Sequence, residues 1–248
     1  MTFSANLGFL WTDLPLVQAI HAAKAAGFAA VECHWPYATP PEDTAAALRA
    51  TGLPMLALNT SRGGEGDFGL AALPDRQPEA RAATLQALRY AEASGTNAVH
   101  VMAGIGGEAA CFHDHLGWAA DQAHALGLGL LIEPINPVDV PGYHLNHPDQ
   151  AAALLDALDR PHVRLMLDFY HIGRLGLDPA ATFARHRARL GHLQIAAVPD
   201  RGPPDHGEID YAALLPALAW PQPIGAEYRP GGPTDASLGW LDRLSSLR

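Results

Sequence analysis

Residues 129–133 read Gly-Leu-Leu-Ile-Glu, and residues 163–168 read Val-Arg-Leu-Met-Leu-Asp. Both are short, mostly apolar runs, as is typical of a parallel strand that is covered on both faces. Both end in a carboxylic acid. Residues 148–158 between them are rich in Ala and Leu and are predicted to form a helix. A strand, a helix and a second strand of this kind predict a parallel β/α unit.

The same alternation continues along all 248 residues. Strands are predicted over 3–10, 30–35, 55–59, 98–102, 129–135, 163–170, 190–197 and 224–228. Helices are predicted over 14–26, 42–51, 78–94, 112–126, 148–158, 179–189, 211–218 and 237–247. Eight units with no change of composition predict a single (β/α)₈ TIM barrel domain over residues 1–248. An open doubly wound sheet is the alternative, but no G-x-G-x-x-G turn follows the first strand.

The charge balance excludes several classes of partner. With 26 acids against 16 bases, the net charge is −10, whereas proteins that track phosphate backbones carry a basic face. We therefore expect no nucleic acid and no membrane surface as partner; a homo-oligomer remains open. Cys33 and Cys111 are too few for a disulfide framework and indicate reduced thiols. With no signal peptide in the first residues and no long apolar run, the sequence predicts a cytoplasmic protein.

Polar residues end five of the apolar runs: Glu32, Glu133, Asp168, Gln194 and Glu227. Catalytic residues of a barrel gather at the carboxyl ends of its strands, so we expect the last four to converge at the barrel mouth. Carboxylates in a partly dry site repel one another unless a proton, a basic side chain or a cation compensates them. An all-oxygen set suits hard ions such as Mg²⁺ or Mn²⁺. The pattern predicts a functional cluster, with a direct or a supporting role open for Glu32.

Three other stretches bear on the site. His171 follows Asp168 at a strand exit, where it either caps a loop or polarises a substrate oxygen; with His192 it leaves a nitrogen ligand possible. Arg201 lies in the long loop 199–210, where it either clamps a carboxylate or stays in solvent. The Gly-rich run 62–66 lacks the Lys-Ser/Thr of a phosphate-binding loop and indicates an active-site loop or a plain connection.

A set of motifs in order along nearly the whole chain resembles the hydroxypyruvate isomerase family, which belongs to the xylose isomerase-like barrels. The motifs are EPIN (133–136), PGYH (141–144), DFYH (168–171), GHLQIA (191–196), PDRG (199–202), GEIDY (207–211) and EYRP (227–230). The third strand departs from the family pattern, since it ends Leu58-Asn59 where the family has His-Asn. The loop 203–206 departs as well, and both changes touch the expected substrate pocket.

The resemblance implies one divalent ion, Mg²⁺ or Mn²⁺, and no organic cofactor. The implied metal ligands are Glu133, Asp168, Gln194 and Glu227. Two of these, Glu133 and Glu227, are implied to act as catalytic acid and base. Substrate contacts are implied for His171, Arg201, Glu32 and Asn59.

The implied enzyme is an aldose–ketose isomerase, an intramolecular oxidoreductase that acts on a small hydroxy-carbonyl acid. The expected reaction converts hydroxypyruvate, or a close 2-oxo-acid analogue, to tartronate semialdehyde through an enediolate. The metal would stabilise the enediolate while a glutamate moves the proton. A ketose 3-epimerase or another sugar isomerase of this superfamily is the alternative. A non-catalytic sugar-acid binding protein and a metal phosphodiesterase are more distant alternatives.

Overall fold

The computed structural model describes residues 1–247, and its eight parallel strands form a closed barrel in chain order. The strands are β1 (Phe3–Asn6), β2 (Ala30–Cys33), β3 (Met55–Asn59), β4 (Ala98–His100), β5 (Gly129–Ile132), β6 (Val163–Asp168), β7 (Leu190–Ile195) and β8 (Ile224–Ala226). The first strand pairs with the last, with Ser4 opposite Gly225, and this pairing closes the barrel. The predicted (β/α)₈ architecture is confirmed.

Helices surround the barrel and connect its strands. They are α1 (Leu16–Ala25), α2 (Pro41–Thr51), α3 (Gln77–Ser94), α4 (Ala109–Ala125), α5 (Pro148–Leu158), α6 (Phe169–Arg174), α7 (Pro179–His186), α8 (Tyr211–Leu218) and α9 (Gly239–Ser245). Within residues 1–247, none of them is long and apolar enough to cross a membrane.

Helix α6 corrects the prediction that the sixth strand continues to Tyr170. The Asp168 carboxylate accepts a hydrogen bond of 2.9 Å from the backbone N–H of Tyr170 and so caps a new helix directly after β6. The apolar residues that follow Asp168 are buried as helix residues rather than as strand residues. This turn fixes the acid at the carboxyl end of β6.

Of the other strands, β3 alone has the predicted bounds, and the remaining six end two to four residues earlier than predicted. Strand β1 ends at Asn6, because the carbonyl of Asn6 accepts hydrogen bonds from the N–H groups of Phe9 and Leu10 in a tight turn. Strand β4 ends at His100 rather than at Met102. The shorter bounds place two polar residues, Asn6 and His100, at the mouth of the barrel.

The hydrophobic core has an outer and an inner part. Outward-facing strand residues such as Val99, Leu130 and Leu193 are fully buried beneath the helices. The inner part, with Leu131 and Met166 packed together, lies inside the barrel. Because side chains alternate between the two faces of a strand, the next inward residues lie two positions further, at the mouth.

Candidate active site

Each strand places one polar side chain in the inward layer above the inner core. The layer consists of Asn6, Glu32, Asn59, His100, Glu133, Asp168, Gln194 and Glu227. All of them except Asn59 are buried, with at most 5% of their surface exposed. The barrel therefore brings all five polar residues that end apolar runs in the sequence to its carboxyl-terminal end, facing the barrel axis.

A cavity of about 300 Å³ opens above this layer. It is lined by five of the residues that were predicted from the sequence: Asn59, Glu133, His171, Arg201 and Glu227. Its walls also include His34 and His100, and its apolar side includes Phe9, Trp35 and Phe68. The cavity suits a small polar molecule bound against acidic, basic and imidazole groups.

A second cavity of only about 10 Å³, roughly the space of one water-sized group, lies deeper. Glu133, Gln194 and Glu227 all line it. The Oε1 atoms of Glu133 and Gln194 are buried and have no hydrogen-bond partner among residues 1–247. Buried oxygens without donors are costly, and a cation would satisfy them. These residues therefore fit an oxygen-coordinated metal ion.

Asp168 and His171 lie next to this point. One ligand atom from each of Glu133, Asp168 and His171 falls within 4.8 Å of the others, so this group could hold a metal ion. Gln194 pairs with Asp168 in the sheet register, which keeps the amide at the same height. The structure thus gathers the four predicted ligands around the inner end of the cavity, with His171 beside them.

Although His171 lies close enough to Glu133 and Asp168 to share an ion with them, its hydrogen bonds in this structure favour a donor role. The Asn136 side-chain oxygen accepts from the N–H groups of Val138 and Asp139 at 3.0 and 2.9 Å, so its NH₂ group faces Nδ1 of His171 at 2.6 Å. Since Nδ1 accepts, the proton of the neutral ring lies on Nε2. Burial and the nearby Arg201 lower the pKa of His171 to about 3, which keeps the ring neutral.

Glu227 is held by three donors. Nη2 of Arg201 lies 2.9 Å from one carboxylate oxygen, and His34 at 2.6 Å and Asn6 at 3.2 Å contact the other. Burial alone would raise the pKa of Glu227, but Arg201 and the hydrogen bond to His34 outweigh it and lower the value to about 2. This carboxylate is therefore ionised at neutral pH.

Glu133 has the opposite surroundings. Its nearest basic groups are His171 Nε2 at 3.5 Å and His100 Nδ1 at 3.8 Å. Burial lowers the pKa of His100 to about 3, so that ring is neutral too. Burial, followed by the charges of Glu227 and Asp168, raises the pKa of Glu133 well above its ordinary value.

Arg201 points into the site and not into solvent. Its Nη2 atom lies 3.4 Å from Asp168 as well as 2.9 Å from Glu227, and its guanidinium packs over the rings of Phe9 and Tyr170. Burial raises the pKa of Asp168 to about 8, although Arg201 opposes this. Arg201 is therefore not the solvated loop charge that the sequence left open, while its contact with a substrate carboxylate stays a prediction.

Glu32 and Asn59 occupy different depths. Asn59 lines both cavities, and its backbone oxygen accepts a hydrogen bond from the Tyr37 hydroxyl. Glu32 lines only the smaller, deeper cavity, and it accepts hydrogen bonds from the side chains of Asn6, Gln194 and His192. Among the two, Asn59 is placed to reach a molecule in the larger cavity.

Sequence reasoning did not select four residues of the site: Asn6, His34, His100 and Asn136. Asn6, His34 and His100 fell inside runs that were predicted as continuous strands, so they were not recognised as strand-end residues. A pattern in the sequence could have identified His100. It is polar and lies two residues after Ala98, so both side chains point to the same face of the strand, the barrel interior. Asn136 lies in a loop, where no such periodicity exists.

Comparisons with known proteins identify the family. The family model of the xylose isomerase-like TIM barrel matches residues 20–244. The 2-oxo-tetronate isomerase of Cupriavidus necator is 38% identical, covering 96% of both chains. The hydroxypyruvate isomerase of Escherichia coli is 33% identical, covering 98% of both chains.

A crystal structure described as AP endonuclease, family 2, from Brucella melitensis superimposes with a TM-score of 0.91. It is 32% identical and covers 98% of both chains. The chain belongs to the xylose isomerase-like TIM barrel family, and its kinship with isomerases over nearly the full length makes it an isomerase. The resemblance found in the sequence motifs is thereby confirmed.

Proposed function

We propose that this member of the xylose isomerase-like family is a sugar-acid isomerase whose substrate is a short 3-hydroxy-2-oxo acid. Hydroxypyruvate and 2-oxo-tetronate, the substrates in the names of its relatives, both have this arrangement. The cavity of about 300 Å³ suits a molecule of this size.

One observation carries the proposal: two buried glutamates, Glu133 and Glu227, reach the same cavity from strands three apart in the barrel. Isomerisation of a 3-hydroxy-2-oxo acid removes a proton from C3 and adds a proton at C2. The hydroxyl on C3 becomes a carbonyl, while the carbonyl on C2 becomes a hydroxyl, so no external electrons are needed. Two carboxyl groups on opposite sides of one pocket are suited to take and return that proton.

The oxygens of Glu133, Asp168, Gln194 and Glu227 would hold one divalent ion, for which Mg²⁺ or Mn²⁺ is the hard-ion choice. When bound, such an ion would stabilise negative charge on the two reacting substrate oxygens. The protein needs no organic cofactor for this proton transfer.

Polar groups above the acids would hold the substrate. His171 presents its Nε2–H toward the cavity, where it can donate to a reacting oxygen. His100 lines the same cavity, and both of its ring nitrogens are buried without a hydrogen-bond partner in the described chain. Arg201 can offer its fork to the substrate carboxylate, and Asn59 lies on the cavity wall.

The cavity lining favours this chemistry over phosphodiester hydrolysis. Glu133, Asp139 and Glu227 line it, against the arginines Arg201 and Arg229, and the whole chain has a net charge of −10. An extended polyanion would meet repulsion here. A small acid needs only one well-placed arginine.

The test is turnover in D₂O with protein loaded with Mn²⁺ or Mg²⁺. Hydroxypyruvate and 2-oxo-tetronate are incubated separately and followed by proton NMR. We expect isomerised product and deuterium on the carbon that receives the proton. No exchange and no product with either acid, from protein that binds the metal, would contradict the proposed function. Exchange with neutral ketoses alone would favour a ketose epimerase instead.

A further inference from the structure

We propose that Glu32 is a positioning residue that fixes the side-chain amide of Gln194 so that its oxygen faces the metal position. The inference rests on the proposed function, because it assumes that an ion binds there. Sequence reasoning left Glu32 between a direct and a supporting role, and the resemblance implied substrate contact. The contacts made by Glu32 favour a supporting role.

The first step concerns the two ends of the Gln194 amide. Oxygen and NH₂ have nearly the same shape, so the environment decides which way the amide faces. Gln194 Nε2 lies 3.1 Å from Glu32 Oε1. A carboxylate only accepts hydrogen bonds, so Glu32 selects the NH₂ end and turns the oxygen away.

The second step concerns where that oxygen lies. Gln194 is 3% exposed, and its Oε1 atom has no hydrogen-bond partner among residues 1–247. The residue lines the small cavity together with Glu133, Glu227 and Glu32. Both oxygens of Glu32 already accept hydrogen bonds from protein donors, unlike the Oε1 atoms of Gln194 and Glu133. The amide oxygen is therefore free for the ion, whereas a flipped amide would present two N–H donors there and repel it.

The third step shows that Glu32 is itself held in place. His192 Nε2 contacts one of its oxygens at 2.5 Å, and the Asn6 NH₂ contacts the other at 3.1 Å. The Asn6 orientation is set in turn by the N–H of Gly8, which donates to the Asn6 side-chain oxygen at 2.9 Å. All contacts of Glu32 thus lead to protein donors and none to the larger cavity.

The packing around position 225 gives independent support. A Cβ atom on Gly225 would lie 2.5 Å from Glu32 Oε1 and 2.8 Å from Gln194 Cγ. Strand β8 therefore leaves room for the Glu32–Gln194 contact only because this inward position has no side chain. Gly225→Ala would displace the contact while leaving both charges and both functional groups present.

The experiment is a double-mutant cycle read out by Mn²⁺ affinity, measured from the EPR signal of free Mn²⁺ in the absence of substrate. In Glu32→Gln, the new amide no longer selects the NH₂ end of Gln194. We expect Mn²⁺ affinity to fall by about 10- to 100-fold, the usual effect of losing a group that orients a ligand. Gly225→Ala should also lower Mn²⁺ affinity, and it replaces Glu32→Gln as the test if that variant does not fold.

The second background is Gln194→Glu, because a carboxylate offers oxygen whichever way it faces. There, neither second substitution should weaken Mn²⁺ binding, because no amide has to be oriented. Glu32→Gln should leave binding unchanged or tighten it relative to Gln194→Glu alone, since it removes the carboxylate next to the new one. Thermal unfolding of each metal-free variant checks that it is folded. Equal losses of affinity in both backgrounds would overturn the positioning role and leave the proposed function intact. Absence of Mn²⁺ binding by the wild-type protein would overturn both this inference and the metal-dependent reaction.

Discussion

The two sides of the site treat their glutamates in opposite ways. On the β8 side, Glu227 receives hydrogen bonds from Arg201, His34 and Asn6, and its pKa falls to about 2. On the β5 side, the basic groups within 4 Å of Glu133 are the neutral rings of His171 and His100, and one of its oxygens has no partner within the described chain. Burial and the charges of Glu227 and Asp168 raise its pKa. The two residues have the same side chain and nearly the same burial, so the difference comes from their neighbours.

This asymmetry shows how a single pocket can hold both a base and an acid. Paired carboxyl groups whose environments move their pKa values apart are the usual sign of an acid/base pair. A cation near Glu133 would supply the positive charge that the protein supplies to Glu227 through Arg201. On the proposed function, the Glu133 side would therefore depend on a metal ion for positive charge, whereas the Glu227 side receives it from Arg201.

The largest effect is expected on turnover. Glu133→Gln and Glu227→Gln should each lower kcat by about 10²- to 10⁴-fold, because each removes a group that is proposed to move a proton. The measurement is product formation from hydroxypyruvate or 2-oxo-tetronate, with bound metal quantified in the same samples. A metal-loaded Gln variant with a near-normal rate would show that its glutamate does not transfer a proton.

The same two variants should separate on stability. Glu227→Gln leaves Arg201 and His34 without their buried anion, so metal-free protein should lose about 3 kcal/mol of unfolding free energy. Glu133→Gln removes a destabilising buried acid and should be neutral or stabilising. Urea unfolding of metal-free protein measures both, with exposed Glu65→Gln as the matched control. Equal losses of unfolding free energy in Glu133→Gln and Glu227→Gln would contradict the proposed difference between the β5 and β8 sides of the site.

The pH dependence of stability sharpens the comparison. Asp168 has a raised pKa, from 3.8 to about 8, so the folded state binds its proton more tightly than the unfolded state. Metal-free protein should therefore lose stability as pH rises from about 4 to about 8. Glu227, lowered from 4.5 to about 2, contributes stability that is complete above about pH 4.5 and is lost as pH falls toward 2.

The melting temperature, measured as a function of pH, tests both predicted changes in stability. Asp168→Asn should reduce the decline on the alkaline side, with the rest due to Glu133, whose pKa is also raised. Saturating Mn²⁺ should suppress the decline in wild-type protein, because the ion favours the ionised acids. Glu227→Gln should reduce the decline on the acidic side. A metal-free wild-type protein that gains stability between pH 5 and pH 8 would contradict the raised pKa of Asp168.

The sequence allowed the barrel and most of the layer of acids to be predicted, because both depend on periodicity. Short, mostly apolar runs that end in Glu133 or Asp168 indicate a buried parallel strand and its carboxyl end in a single pattern. The exact strand ends could not be predicted, because they depend on turns such as the one closed by the Asn6 carbonyl. Overlong predicted strands therefore hid Asn6 and His100.

Residue contacts were harder to predict than residue positions. No pattern in the chain relates Glu32 to Gln194 or to His192, since these pairs are brought together only when β2 and β7 face each other across the closed barrel. Likewise, nothing in the loop 199–210 indicates that Arg201 reaches back between Asp168 and Glu227. The assignment of individual residues to metal, substrate or proton transfer remains a prediction.

The smallest expected effect concerns Arg201, which creates the β8 side of the comparison. Arg201→Lys keeps a positive charge near Glu227 but loses the planar fork and the packing over Phe9 and Tyr170. We expect about a tenfold loss of kcat/KM for 3-hydroxy-2-oxo acids, because a lysine contacts a carboxylate at one point instead of two. Any neutral ketose that the site accepts should be spared, since it has no carboxylate to lose. Steady-state kinetics on an acid and a ketose of equal chain length measure the difference.

Equal losses of kcat/KM on the acid and the ketose would contradict a contact between Arg201 and the substrate carboxylate. Arg201 would then serve only to hold Asp168 and Glu227. The substrate carboxylate would need another cationic partner, and Arg229 on the cavity wall is available for that role.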